Sequence, residues 1–185
     1  MKVTGTGWLI QWQYYQEKYS PADLERVKAA LAPADQQELF GRAVLPVSWV
    51  DLGAIMSFML AADRLLAKGD KGLIGDVMRY KAQKEFTGIY RFFLSLASPK
   101  TIMRRASVIW KKMYSEGEAV VLNETKTSID IKVTELKTQP PYHDLSVVAY
   151  AEEVMRIAGW QNPRGEIKKS PRLGHDHMLI HYTWD

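Results

Sequence analysis

Apolar positions recur at helical spacing up to about residue 116 and then alternate with polar ones. Trp8, Leu9 and Trp12, followed less regularly by Tyr15 and Tyr19, predict a helix over about 7–19. Ser20-Pro21 reads as the N-cap and first residue of a second helix, which runs to about Leu31 with Leu24, Val27, Ala30 and Leu31 on one face. Ala32-Pro33 breaks it, and a short helical turn follows through Leu39. Leu45-Pro46-Val47-Ser48 leads into a helix of about 50–67 that is apolar nearly all round, the mark of a central core element. Gly69-Asp70-Lys71-Gly72 turns the chain into a helix of about 73–85, with Leu73, Ile74, Val77 and Tyr80 inward. Gly88 is a break, after which the apolar pattern continues to Ala97. Ser98-Pro99 then opens a basic helix reaching about Tyr114. Its core face is Ile102, Met103, Ala106, Ile109, Trp110, Met113 and Tyr114, and Gly117 ends it.

Beyond Gly117 the period becomes two. Residues 119–122 form a short strand, and Ile129, Ile131 and Val133 alternate with Ser128, Asp130, Lys132 and Thr134 across a hairpin turn at Asn123–Lys126. A helix of about 144–158 follows the Gln139-Pro140-Pro141 linker, with Val147, Val148, Ala151, Val154, Met155 and Ala158 as its stripe. Strands of about 164–170 and 177–184 close the chain. Helices first, then β-β-α-β-β, predict an α+β fold in which an N-terminal helical layer packs on a C-terminal antiparallel sheet. A chain of 185 residues fits one domain, helical to about 116 and α+β from about 117.

Composition sharpens this only in part. Six tryptophans and nine tyrosines call for an aromatic-rich core. The absence of cysteine excludes disulfides, thiolate nucleophiles and cysteine-ligated metal centres. A net charge of +4 is a mild bias toward anionic partners. The charge-free run Val3–Gln16 is interrupted by Gly, Thr and Gln, and Leu52–Ala62 is short of the roughly 20 apolar residues a bilayer span needs. The apolar block Trp8-Leu9-Ile10 is too short for a signal-peptide core. A cytoplasmic protein without a membrane span is the expectation.

Candidate chemistry is sparse. His175, His177 and His181 share strand parity opposite the apolar Met178, Ile180, Tyr182 and Trp184, so they read either as zinc ligands or as a solvated polar face. Gly69–Gly72 has the form of a KH-type loop, but its place between two helices favours a plain turn. Glu152 and Glu153 point about 100° apart and cannot face each other as an acid–base pair. Asp63-Arg64, at the end of an apolar helix, needs either a partner or an exit to water. Lys100, Arg104 and Lys111 form an outward stripe suited to an anionic surface; without interleaved aromatics, nucleic acid is not the expected partner. No phosphate-loop, dinucleotide or nucleophile-elbow motif occurs.

Four stretches carry a resemblance: LPVSWVDL at 45–52, RFFLSLASPKTIMRRASVIWKKMYSEGE at 91–118, IAGW at 157–160 and GHDHMLIHYTW at 174–184. Together they resemble a family of uncharacterised bacterial proteins expanded in myxobacteria. That family looks like a distant relative of 4-vinyl-reductase ligand-binding domains, haem-nitric-oxide sensors and TRAPP transport-complex subunits. The resemblance implies helices on an antiparallel sheet, an apolar ligand pocket and a homodimer. It does not bring haem with it. The sensors' axial histidine and their tyrosine–serine–arginine motif have no counterpart, so no cofactor is expected. Nor is there a cysteine before the last strand, where relatives often carry one. Function then reads as non-enzymatic binding of a small apolar or amphipathic ligand, with a structural or scaffolding protein as the alternative and an enzyme as a third reading. Trp49, Phe58, Tyr90, Phe93 and Trp110 are the candidate pocket-lining residues.

Overall fold

A computed structural model describes residues 1–87 and 105–185. The N-terminal half opens with strand β1 (Lys2–Thr4) and helices α1 (Gly5–Lys18), α2 (Pro21–Ala29) and α3 (Pro33–Phe40). Strand β2 (Trp49–Asp51) and helices α4 (Leu52–Leu66) and α5 (Gly72–Glu85) follow. Helix α6 (Ala106–Met113), strands β3 (Glu118–Leu122) and β4 (Ser128–Thr134), helix α7 (His143–Ile157) and strands β5 (Arg164–Lys169) and β6 (Met178–Thr183) make the C-terminal half. The architecture is α+β, a helical layer on an antiparallel sheet, in agreement with the hydrophobic pattern.

Local chemistry sets the helix starts. Ser20 Oγ accepts the Asp23 N–H at 3.2 Å with Pro21 at the first helical position, and Asp51 accepts the Ala54 N–H at 3.1 Å to open α4. The β1–β2 ribbon was not foreseen. Its strands have three residues each and no room to show alternation, yet Val3 and Val50 pair across it and are buried. It also ties the halves together: Ser115 N–H donates to Lys2 O at 3.0 Å, and Val3 bridges to Tyr114.

Asp63 does not exit into water. It is buried and accepts the backbone N–H groups of Lys71 (3.0 Å) and Leu73 (3.3 Å), fastening the start of α5 to the end of α4. The Gly69–Gly72 segment is accordingly a helix–helix turn. Helix α4 is buried on nearly every side, and its Phe58 sits among Trp8, Trp12, Tyr15 and Phe40 at ring centroid distances of 5.5, 5.7, 4.9 and 5.8 Å.

The four-stranded sheet has the order β3-β4-β6-β5, with every pair antiparallel. One face carries Ala119, Ile129, Ile131, Val133, Met178, Ile180 and Tyr182, all buried. Helix α7 packs against α5 and against the sheet through β5. Burial on two sides explains why Ala149, Glu153 and His143 are buried while Val147, Val148, Ala151 and Ala158 of its apolar stripe are half-buried. Gly117, at φ +89°, makes the turn from α6 into β3 with Trp110 close beside it.

Candidate functional site

A cavity of about 100 Å³ lies where α6 and α7 meet the inner face of the sheet. Helix α6 lines it with Ala106, Ile109, Trp110 and Met113, and Tyr114 follows directly. Helix α7 contributes Val147, Tyr150, Ala151, Val154 and Met155. The sheet supplies Ala119, Ile131, Val133 and Tyr182, and Phe86 stands at the end of α5. The spacing explains the convergence. Ile109, Trp110 and Met113 share one helical face, Val147, Ala151 and Val154 share another, and the period of two turns Ile131, Val133 and Tyr182 to one side of the sheet.

The walls are apolar, and the polar atoms close to them are accounted for in different ways. Trp110 Nε1–H donates to Glu116 O at 2.8 Å, which locks the indole against Tyr114 at a centroid distance of 4.3 Å. Tyr150 O–H donates to Glu85 Oε2 at 2.6 Å. Glu85 also holds the ammonium of Lys81 at 2.8 Å, and that ammonium lies 4.3 Å from the Tyr150 ring centroid. Lys81 is fully buried; desolvation lowers its pKa and the Glu85 carboxylate opposes the shift. Burial, reinforced by Glu85, pushes the Tyr150 hydroxyl well above its ordinary value.

Tyr182 is also fully buried, and its ring covers Gly165 on the neighbouring strand. A Cβ at Gly165 would meet Tyr182 Cε1 at 2.7 Å, so only glycine fits there. Among the described residues the Tyr182 hydroxyl has no hydrogen-bond partner, and burial raises its pKa. Behind the Trp110–Tyr114 wall lies His143, fully buried, its ring 5.1 Å from that of Tyr114, with neither ring nitrogen hydrogen-bonded among the described residues. Burial holds its pKa down at about 4, with Asp144 opposing the shift and the Met1 ammonium adding to it.

Of the residues expected to line a pocket, Trp110 does so. Tyr90 and Phe93 lie outside the described residues. Phe58 is part of the packed aromatic cluster of the helical half, because α4 is enclosed by α1 and α3 before it can reach the sheet. Trp49 is 41% exposed, because β2 pairs only with β1 and leaves this side chain uncovered. Lys111 is exposed and paired with Glu118 at 3.2 Å; Lys100 and Arg104 lie outside the described residues. Met113 is half-buried rather than buried, since it borders the cavity.

The sheet histidines take neither reading in full. His181 pairs with Asp130 across β6 and β4 at 2.6 Å, whereas His175 and His177 precede β6. Among the described residues no group of three or more His, Asp or Glu could hold a metal ion. Buried Lys81 was missed although its signal was present: Ile74, Met78 and Lys81 are spaced 4 and 3 apart on one helical face. Tyr150 and Tyr182 could be assigned to inner faces by periodicity, but only the packing of α7 against the sheet brings them to one space.

No family model and no curated protein matches the sequence. Solved structures do. An H-NOX protein from S. oneidensis in the Fe(II)NO ligation state superposes with a TM-score of 0.72 at 10% identity, over 98% of this chain and 99% of that one. A mutant H-NOX protein from K. algicida, Fe(II) unliganded, gives 0.69 at 8% identity, over 98% and 96%. The fold of this chain, over nearly its whole length, is that of the H-NOX proteins.

Proposed function

We propose that the protein is a non-enzymatic sensory module that holds a small apolar or amphipathic molecule between α6, α7 and the sheet. The observation that carries this reading is the cavity itself, with its apolar walls and a position where the helical half meets the sheet. An apolar cavity of about 150 Å³ stays dry and takes up benzene or xenon, so a space of about 100 Å³ suits a smaller apolar guest. A molecule seated here touches α6, α7 and the sheet at once, so its binding biases how these elements sit together. Glu85, which holds the Tyr150 hydroxyl, is committed to that contact and to Lys81, which supports binding over acid–base chemistry. The cytoplasm is the proposed compartment.

Haem, the group of the H-NOX structures, does not fit the described residues. About 100 Å³ is far below the 300–1,000 Å³ of drug-sized pockets, and a porphyrin needs more. Among the described residues no histidine, lysine or arginine lines the cavity, so none of them would meet an iron as imidazole or carry propionates as a cation. His143 stands behind Trp110 and Tyr114.

Native mass spectrometry of gently purified protein tests the proposal. The expected result is a non-covalent small molecule, lost on denaturation and retained less well by Trp110→Ala. Purified protein that carries nothing and takes up no apolar compound would contradict it. The scaffolding alternative draws on a different observation: Leu45, Val47 and Trp49 are exposed at 59%, 86% and 41% in the segment entering β2. Sedimentation of Val47→Asp against the original chain tests it, and a loss of self-association or of a bound partner would favour it.

A further inference from the structure

We infer that Lys81 and Glu85 are positioning residues for the cavity, acting through Tyr150, and that they carry its occupancy to the helical half. This rests on the binding function proposed above and names how binding there is felt elsewhere. Tyr150 belongs to both places: it lines the cavity, and its hydroxyl donates to Glu85 Oε2 on α5 at 2.6 Å. Among the described lining residues no other side chain makes a hydrogen bond to the helical half.

Lys81 is 1% exposed, and a buried ammonium is kept only where its charge is met. Glu85 meets it with both oxygens, at 2.8 and 2.9 Å, and the Tyr150 ring meets it from α7 with its centroid at 4.3 Å. The lysine stem also runs beside α1, where a Cβ at Gly7 would come within 3.3 Å of Lys81 Cε. Tyr150 is what α7 adds to this cluster. When its ring shifts, the ammonium loses an aromatic partner and the carboxylate loses a donor. The Tyr150–Glu85 bond, made or broken, is thus a two-state element that the cavity can bias. A guest packed against Tyr150 favours the made state, and by linkage the made state favours the guest.

Xenon is the probe, its binding followed by NMR and its effect by amide hydrogen exchange. The proteins are the original chain, Tyr150→Phe, and the double variant Lys81→Met with Glu85→Leu. Tyr150→Phe keeps the ring and the ion pair and removes the bond alone. The double variant leaves the described lining residues in place and takes out both charges together, so no unpaired ion remains and the chain is expected to fold. In the original, xenon should slow exchange of the α5 amides around Lys81 and Glu85 about two- to five-fold, part of the worth of one hydrogen bond. At equal xenon occupancy both variants should lose that slowing, and their xenon affinity should fall by about the same factor. A cluster that only held the fold together would change stability and leave the effect of xenon on α5 as it was. Xenon bound to the original with α5 exchange unchanged, or α5 slowed equally in all three proteins, would overturn the coupling and leave the binding function standing. An original chain that takes up no xenon would overturn both.

Discussion

His143 is the residue whose environment differs most from what its type suggests. Its pKa of about 4 lies below the roughly 6.5 of an unfolded histidine, so on acidification the unfolded chain takes up the proton first. Its contribution to stability is therefore intact above pH 6.5 and is lost as pH falls toward 4, by about 3 kcal/mol in all. His143→Phe should lose less stability over that window than the original chain in urea titrations at pH 7, 5.5 and 4.5; parallel curves would contradict the assignment. The variant should be no less stable at pH 7, because two unpartnered buried nitrogens go with it. Trp110 behaves differently. Trp110→Ala removes a buried indole and its bond to Glu116 O, and is expected to cost about 3–5 kcal/mol in chemical denaturation. A shift near zero would mean that the indole does not form the wall.

At the scale of elements, the joint between α4 and α5 depends on one carboxylate. Asp63→Ala leaves the N–H groups of Lys71 and Leu73 without their acceptor and should cost about 2–3 kcal/mol, with the α5 amides exchanging faster in hydrogen-exchange measurements. Unchanged exchange would place the cap elsewhere. Lys111, exposed in its pair with Glu118, should by contrast tolerate glutamine within about 0.5 kcal/mol. These two residues also mark how far the chain can be read. Helix α2, the β3–β4 hairpin, α7 and β6 were legible because caps, turns and periods of 3.6 or 2 are local signals. Asp63 was not, since its partners lie 8 and 10 positions on and belong to another helix. The three-residue β1 and β2 were illegible for a related reason: only their pairing across some 47 residues makes them strands.

For the whole molecule, the layer order of helices on an antiparallel sheet was already contained in the switch of period at Gly117, and the H-NOX structures share it. Of the pocket candidates among the described residues, Trp110 is the one that borders the cavity. Aromatic size pointed to Phe58 and Trp49, but the long helix turned out to be packed full on its own side. The open space formed instead where two helix faces meet Ala119, Ile131, Val133 and Tyr182 of strands β3, β4 and β6. No periodicity reports that gap, because it is a mismatch of volumes between elements far apart in the chain. Among the described residues no helix is long and apolar enough to cross a membrane.

The central claim is that this space is real and takes up an apolar molecule. Ala151, half-buried on the α7 face that lines it, offers the direct measurement: xenon binding to the original chain and to Ala151→Leu, followed by NMR, with the urea stability of both. A true cavity accepts the larger side chain, so Ala151→Leu should be as stable as the original or more so and should bind no xenon. If the original chain binds no xenon and the leucine destabilises it by about 1–3 kcal/mol, as overpacking of a filled core does, the account is wrong.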